Sequence, residues 1–444
     1  MRGALDSHTD EVLARELADR GCEALLIVGA SGRDPDLAPF VGPAHLSRAF
    51  LLLPRPAAGS PGGRGPLLGY LTPMERGEAA KSGFELLTPQ QLEVERLLRE
   101  RPEPASFWSA LLVRAMELSG VPPGRLALAG HLGAGHAVAF AGALQAAGWS
   151  LVDGHEVARL LRKRKRPDEV TAIREAARGA AAAMRRVAEV LAEGEPVAGS
   201  DGEAGGAAGA GREGELGGSG GGSGDGALRW RGEPLTVGRL RREVFRVIAD
   251  HGLEQPESNI IAPGEEGAAP HSMGTDSRVL RTGESLIVDL FPRGWMFADC
   301  TRTFCVCEPP EALAAAHAAV AGALAIARLG ARPGVRGFDL QEAVCRHFQD
   351  LGHPTPVSHP GTETGYVHNL GHGVGHELHE YPSFRKEAGA EGVLGEGDVI
   401  AVEPGLYDPE AGWAVRLEDL LVLGPEGIAE DLTPLPYDLD PRVW

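Results

Sequence analysis

The sequence predicts two domains: an α/β domain with a mixed sheet over residues 1–165, and a second domain over 166–444 in which short apolar runs carry carboxylates. Three observations lead there. A chain of 444 residues exceeds the size at which single cores usually stop growing. Strand-like and helix-like patterns alternate through the first part, the signature of an α/β layer. Then Pro167-Asp168-Glu169 opens a long helix to about Ala192. Proline and acids stand in its first turn, where free N–H groups and the helix dipole favour them.

In the first domain a helix is expected over Asp10–Asp19, then strands at Glu23–Gly29, Ala49–Pro54 and Leu67–Leu71. Pro/Gly-rich residues Pro54–Pro66 separate the last two as a hairpin. Gln90–Arg101 and Phe107–Leu118 read as helices, Arg125–Gly130 as a strand, residues from about Ala137 as an Ala-rich helix, and Trp149–Gly154 as a strand. Nothing here concentrates nucleophiles, ligands or a phosphate loop, and His131 and His136 read as loop or structural histidines. Arg162–Arg166 reads as the solvated mouth of the following helix.

Residues 200–226 form a Gly/Ala/Ser/Glu segment too poor in apolar residues to offset its ordering entropy, and read as a flexible surface insertion. A helix resumes over Thr236–His251.

Composition narrows the function. Sixty-two acidic against 43 basic residues give a net charge of −19, which disfavours nucleic acid or an anionic membrane as partner. Five scattered cysteines read as reduced thiols of a cytoplasmic protein, with Cys305 and Cys307 as buried small hydrophobes. The N-terminus lacks a signal-peptide core, and no stretch approaches about 18 uninterrupted apolar residues.

Five potential metal ligands lie in the C-terminal third: Asp289 in LIVDLFP, Asp299 in FADCTRTF, His372 in HNLGHGVGHELHE, Glu403 in VEPGLY and Glu418 in VRLED. Carboxylates with one imidazole suit a pair of hard or borderline divalent cations better than a lone zinc. Asp289 and Asp299 flank the turn-like PRGW and are expected on facing strands of a hairpin. His368, His372 and His376 would share a helical face, but Gly371, Gly373 and Gly375 argue against a helix. One imidazole is therefore expected on metal and others at substrate, with no chemical role for His376. Arg416, two residues before Glu418, is placed to orient a carboxylate.

The order Asp…Asp…His…Glu…Glu, with these strings, resembles the pita-bread metallopeptidases in their aminopeptidase P and prolidase branch. The likeness extends to His271 in AAPHSMGT and to the helix start KRPDEV. It implies an N-terminal creatinase/prolidase-type α/β domain and a C-terminal pita-bread domain with a curved antiparallel sheet. It also implies two divalent metals (manganese or cobalt, with iron or zinc as alternatives) on Asp289, Asp299, His372, Glu403 and Glu418. Asp299 and Glu418 would bridge, and Glu403 would shuttle a proton from the bridging water. His271 and His379 would bind the scissile carbonyl, His368 would line the proline pocket, and Arg416 would anchor the network. The implied substrate is a Xaa-Pro dipeptide or a longer peptide with proline second, and the implied assembly a homodimer. Two departures stand out: the aspartates are closer in sequence than in many relatives, and His376 replaces a leucine-like residue. A metal-independent creatinase-like hydrolase and an inactive binding protein are the alternatives, both disfavoured by the full ligand set.

Overall fold

The computed structural model describes residues 5–29, 34–56, 65–197 and 226–444. The insertion expected at 200–226 and the tip of the expected 54–66 hairpin lie outside these residues, except at their ends. Contacts divide the chain into two units, residues 1–169 with 373–382, and residues 170–372 with 383–444.

The first unit is an α/β layer. Helix α1 (Ser7–Asp19) starts where the Asp6 carboxylate accepts the Thr9 N–H at 2.8 Å, a side-chain N-cap. Six strands follow: β1 (Ala24–Gly29), β2 (Ala49–Pro54), β3 (Leu67–Tyr70), β4 (Glu85–Leu87), β5 (Arg125–Ala129) and β6 (Ser150–Asp153). They form one sheet in the order β4-β3-β2-β1-β5-β6. β1 pairs antiparallel with β2 and parallel with β5, and β5 pairs parallel with β6, so the sheet is mixed. β1 is buried along its whole length, which is why it reads as a continuous apolar run rather than an alternating one. Its alternate residues feed two cores, Leu25 and Ile27 into one, Leu26 and Val28 into the other.

The basic run at 162–166 departs from expectation. Arg162 and Lys165 are buried, not solvated. Lys165 Nζ lies 2.6 Å from Glu380 Oε1, and Arg162 pairs with Glu377 while approaching Glu380 and Asp36 at 3.6 Å. Buried cations persist where anions meet them; here the anions come from residues 373–382 and from the loop after β1. His376 belongs to the same network, its Nε2 3.1 Å from Glu169 Oε1.

In the second unit the helix Pro167–Ala192, begun in the first, is followed by Val237–Asp250, Glu311–Gly330 and Gly337–Asp350. Glu311–Gly330 is long and apolar enough by composition to cross a membrane. Seven of its residues, Leu313 to Ala327, are buried, and they pack in a core with Leu340, Val344 and Phe348 of the next helix. The following strands pair antiparallel, in several ladders. Ile260–Pro263, Ser285–Leu290 and Cys300–Cys305 form one. Gly405–Asp408 pairs with Trp413–Arg416, and Asp419–Gly424 lies between Val399–Val402 and Gly427–Asp431. Cys305 is buried, whereas Cys307 is exposed with φ 70°, correcting its assignment to the core: the strand ends at Cys305 and the chain turns outward.

Candidate metal centre

Strand ends deliver the carboxylates. Asp289 is the penultimate residue of Ser285–Leu290 and pairs with Thr301 across the ladder. Asp299 immediately precedes Cys300–Cys305. The two aspartates are therefore diagonal neighbours on one face rather than direct partners, because 299 and 301 share the parity that period-2 alternation requires. Glu403 follows Val399–Val402, with its backbone N–H donating to the Leu370 carbonyl at 2.8 Å. That bond sets Glu403 against the His372 segment. Gly371–Gly373 is a strand, not a helix. A Cβ on Gly371 would stand 2.1 Å from the Ala401 carbonyl oxygen, so only glycine lets the strands approach this closely.

Asp299, His372 and Glu418 each offer a ligand atom, all within 4.8 Å of one another. His372 Nε2 lies 3.7 Å from Asp299 Oδ2 and 3.5 Å from Glu403 Oε1. These separations are near the ligand–ligand edge, about 3.0–3.4 Å, of an ion bound at about 2.1 Å. Arg416 Nη2 donates to Asp289 Oδ2 at 2.7 Å, while Asp289 Oδ1 is buried without a hydrogen-bond partner. Thr301 Oγ1 donates to Glu418 Oε2 at 2.9 Å.

The electrostatics are those of a cluster built around cations. Burial, then Glu418, Asp289 and Glu403, raise the Asp299 carboxyl well above the usual range. Burial raises Glu403 to about 8, with Arg416 opposing and Asp289 reinforcing. Burial and then Asp289 and Glu403 raise Glu418 as well. One guanidinium among four carboxylates leaves negative charge that protons would otherwise have to quench. The donor set and the orphaned Asp289 oxygen fit a pair of divalent cations.

Two supporting residues escape a motif reading. Thr301 follows Asp299 by two, on the same face of the strand, and periodicity alone could have found it. Tyr407 lies inside VEPGLY, and only its fold position reveals its use. Its hydroxyl accepts from Arg416 Nη1 at 2.9 Å and meets His368 Nε2 at 2.9 Å. His368 Nδ1 lies 2.8 Å from the Asn369 carbonyl and so carries the proton, leaving Nε2 to accept from Tyr407. Burial pushes His368 down to about 4, which keeps the ring neutral. Tyr407→Phe would leave His368 Nε2 without its donor and take one of two acceptors from Arg416 Nη1, and is expected to lower stability by about 1–3 kcal/mol, read from urea midpoints.

The two remaining expected site residues, His271 and His379, belong to different units. His271 is exposed and follows Pro270, whose carbonyl accepts from Arg416 Nη1 at 3.2 Å. His379 is exposed and belongs to the 373–382 segment of the first unit.

Residues 171–425 match the family model described as metallopeptidase family M24. The chain belongs to that family. It is 34% identical over 216 residues to the Xaa-Pro dipeptidase of Pyrococcus furiosus, covering 47% of this chain and 57% of that protein. It is 30% identical over 214 residues to the probable dipeptidase PepE of Mycobacterium tuberculosis, covering 47% and 53%. The chain thus spans little more than half the length of these curated relatives. In fold it resembles the prolidase of Pyrococcus horikoshii OT3, with TM-score 0.67, 21% identity and coverage of 98% of this chain and 100% of that one. It also resembles a Xaa-Pro dipeptidase from Bacillus anthracis, with TM-score 0.69, 20% identity and coverage of 97% and 98%. The M24 chain has the pita-bread fold, preceded by an α/β domain with a mixed sheet.

Proposed function

We propose that this M24 chain is a two-metal peptidase that cleaves the bond before proline, in Xaa-Pro dipeptides or at the N-terminus of longer peptides. The convergence of Asp299, His372 and Glu418, with Asp289 and Glu403 beside them, carries this reading. The names of the relatives supply its substrate class. Asp289, Asp299, His372, Glu403 and Glu418 would hold the metals. Manganese or cobalt suits the oxygen-rich set, with iron or zinc as alternatives. A bound pair supplies an activated water and an electrophile for the carbonyl.

The chain's own groups do the rest. The Glu403 side chain is 22% exposed, so it can reach both cluster and substrate. It takes the proton of the attacking water and returns it to the departing proline nitrogen, a secondary amine that must leave protonated. His271 and His379 donate to the oxygen on which negative charge develops. Neutral His368, braced by Tyr407, walls the pyrrolidine pocket. Arg416 holds Asp289 and cannot lose its charge in doing so. A Xaa-Pro bond is a tertiary amide with restricted geometry on both sides, so a peptidase for it must fit the ring itself.

A panel of Ala-Pro, Ala-Pro-Ala and Ala-Ala with manganese-loaded protein tests the specificity. Release of alanine from the proline peptides, at least about tenfold faster than from Ala-Ala, is expected. Preference between the two proline peptides then distinguishes dipeptidase from aminopeptidase. Equal rates on all three would remove the proline assignment.

A further inference from the structure

The helix Gly337–Asp350 packs one face into the core of the second unit, with Leu340, Val344, Cys345 and Phe348 buried. Gln341 lies on that same face and is 2% exposed. A primary amide there has lost its water, so each of its polar groups needs a partner from the protein.

The main partners belong to one short segment. Gln341 Oε1 accepts from the Tyr366 hydroxyl at 3.1 Å and from the Leu370 N–H, while Nε2 donates to the His368 carbonyl at 3.3 Å. Nε2 also lies 3.5 Å from Cys345 Sγ, one turn along the helix. Chemistry fixes the orientation of the amide, because a backbone N–H can only donate and a carbonyl can only accept. One side chain thus grips the main chain on both sides of Asn369.

The same segment carries His368. The inaccessible Tyr366 ring meets the His368 ring edge to face, with centroids 5.3 Å apart, and the Tyr407 hydroxyl holds His368 Nε2 at 2.9 Å. The imidazole is therefore held by two tyrosines, and its backbone by Gln341. None of the partners of Gln341 is an expected metal ligand.

We infer that Gln341 is a positioning residue for the pyrrolidine pocket: it fixes where the His368 ring stands, and so the fit to proline. This rests on the role given to His368 above. Glutamine suits the task because it supplies donor and acceptor together, whereas a carboxylate lacks the donor and a thioether has neither in strength. Because Gln341 acts on a pocket wall rather than on the reacting atoms, its loss should weaken binding of the proline end and spare the chemical step. A glutamine that only braced the core would instead lower stability and leave binding alone.

Two variants separate these accounts. Gln341→Met removes donor and acceptor at similar length, and Gln341→Glu keeps the acceptor but loses the donor. Manganese-loaded protein is assayed for hydrolysis of Ala-Pro and for competitive inhibition by free proline, the product that would fill the same pocket. In Gln341→Met, KM for Ala-Pro and Ki for proline are both expected to rise about tenfold, with kcat within about threefold and bound metal unchanged. Gln341→Glu should shift both constants the same way, which keeps the test open if the methionine variant folds poorly. Gln349→Met is the control. It breaks a 2.7 Å bond from the same helix to Thr355 and should lower stability while leaving both constants in place. Unchanged KM and Ki in the Gln341 variants, a fall in kcat alone, or an equal shift in Gln349→Met would overturn the assignment and leave the Xaa-Pro reading standing. A wild type that neither prefers Ala-Pro to Ala-Ala nor binds proline would remove that reading, and the role of Gln341 with it.

Discussion

Glu403→Gln is expected to lower kcat on a Xaa-Pro dipeptide by about 10²–10⁴, the usual contribution of a positioned general base. The glutamine keeps the side chain's shape and one ligating oxygen but cannot carry the proton. KM should change little if, as proposed, the residue acts on the water and the leaving nitrogen rather than on the ground state. Steady-state kinetics with metal analysis of the same samples separates the two roles. A fall in kcat with metal retained supports proton transfer, whereas loss of metal in step with activity makes Glu403 a ligand only. Activity within about threefold of wild type would remove it from the mechanism.

Glu380→Leu should cost about 3–5 kcal/mol, the range for breaking a buried ion pair from one side. The carboxylate is shared by Lys165 and Arg162, all three side chains are nearly inaccessible, and both cations would stay buried without it. Adding Lys165→Met should recover part of the loss. The pH dependence has a definite sign. Burial tends to raise the Glu380 pKa, but Lys165 and then Arg162 outweigh it and hold the carboxyl below its usual 4.5. An acid with a lowered folded pKa contributes stability above its unfolded pKa and loses it as pH falls through the folded one. The gap between wild type and variant should therefore be widest from neutrality down to about pH 5 and close in stronger acid. Urea midpoints across that range measure it, and a gap that widened in acid would contradict the pairing.

The two predictions fall on either side of what the sequence makes legible. Glu403 stands at the end of an apolar run and before Pro-Gly, and each ligand carboxylate has a comparable local address. Strand periodicity and order along the chain were enough to propose it. Lys165 and Arg162 have no such address. Their local context, KRKRP, has the composition of a solvated surface, and the anions that meet them come from residues distant in sequence, Glu377 and Glu380 together with Asp36. The contact of His131 with Asp34 is hidden for the same reason, since parallel pairing of β1 with β5 joins loops far apart in sequence. Register was a further blind spot. An apolar run signals a strand without fixing its partner, so facing aspartates were expected where diagonal ones occur.

The central claim is that the C-terminal carboxylate cluster is a two-metal hydrolytic centre. Its most direct test is to titrate metal-stripped protein with manganese while following both metal bound at the cluster and hydrolysis of Ala-Pro, with Asp299→Ala alongside. No activity is expected without metal, a rise that saturates as two equivalents fill the cluster, and neither binding there nor turnover in the variant. Full hydrolysis by the stripped protein, or none with both equivalents bound, would contradict the claim.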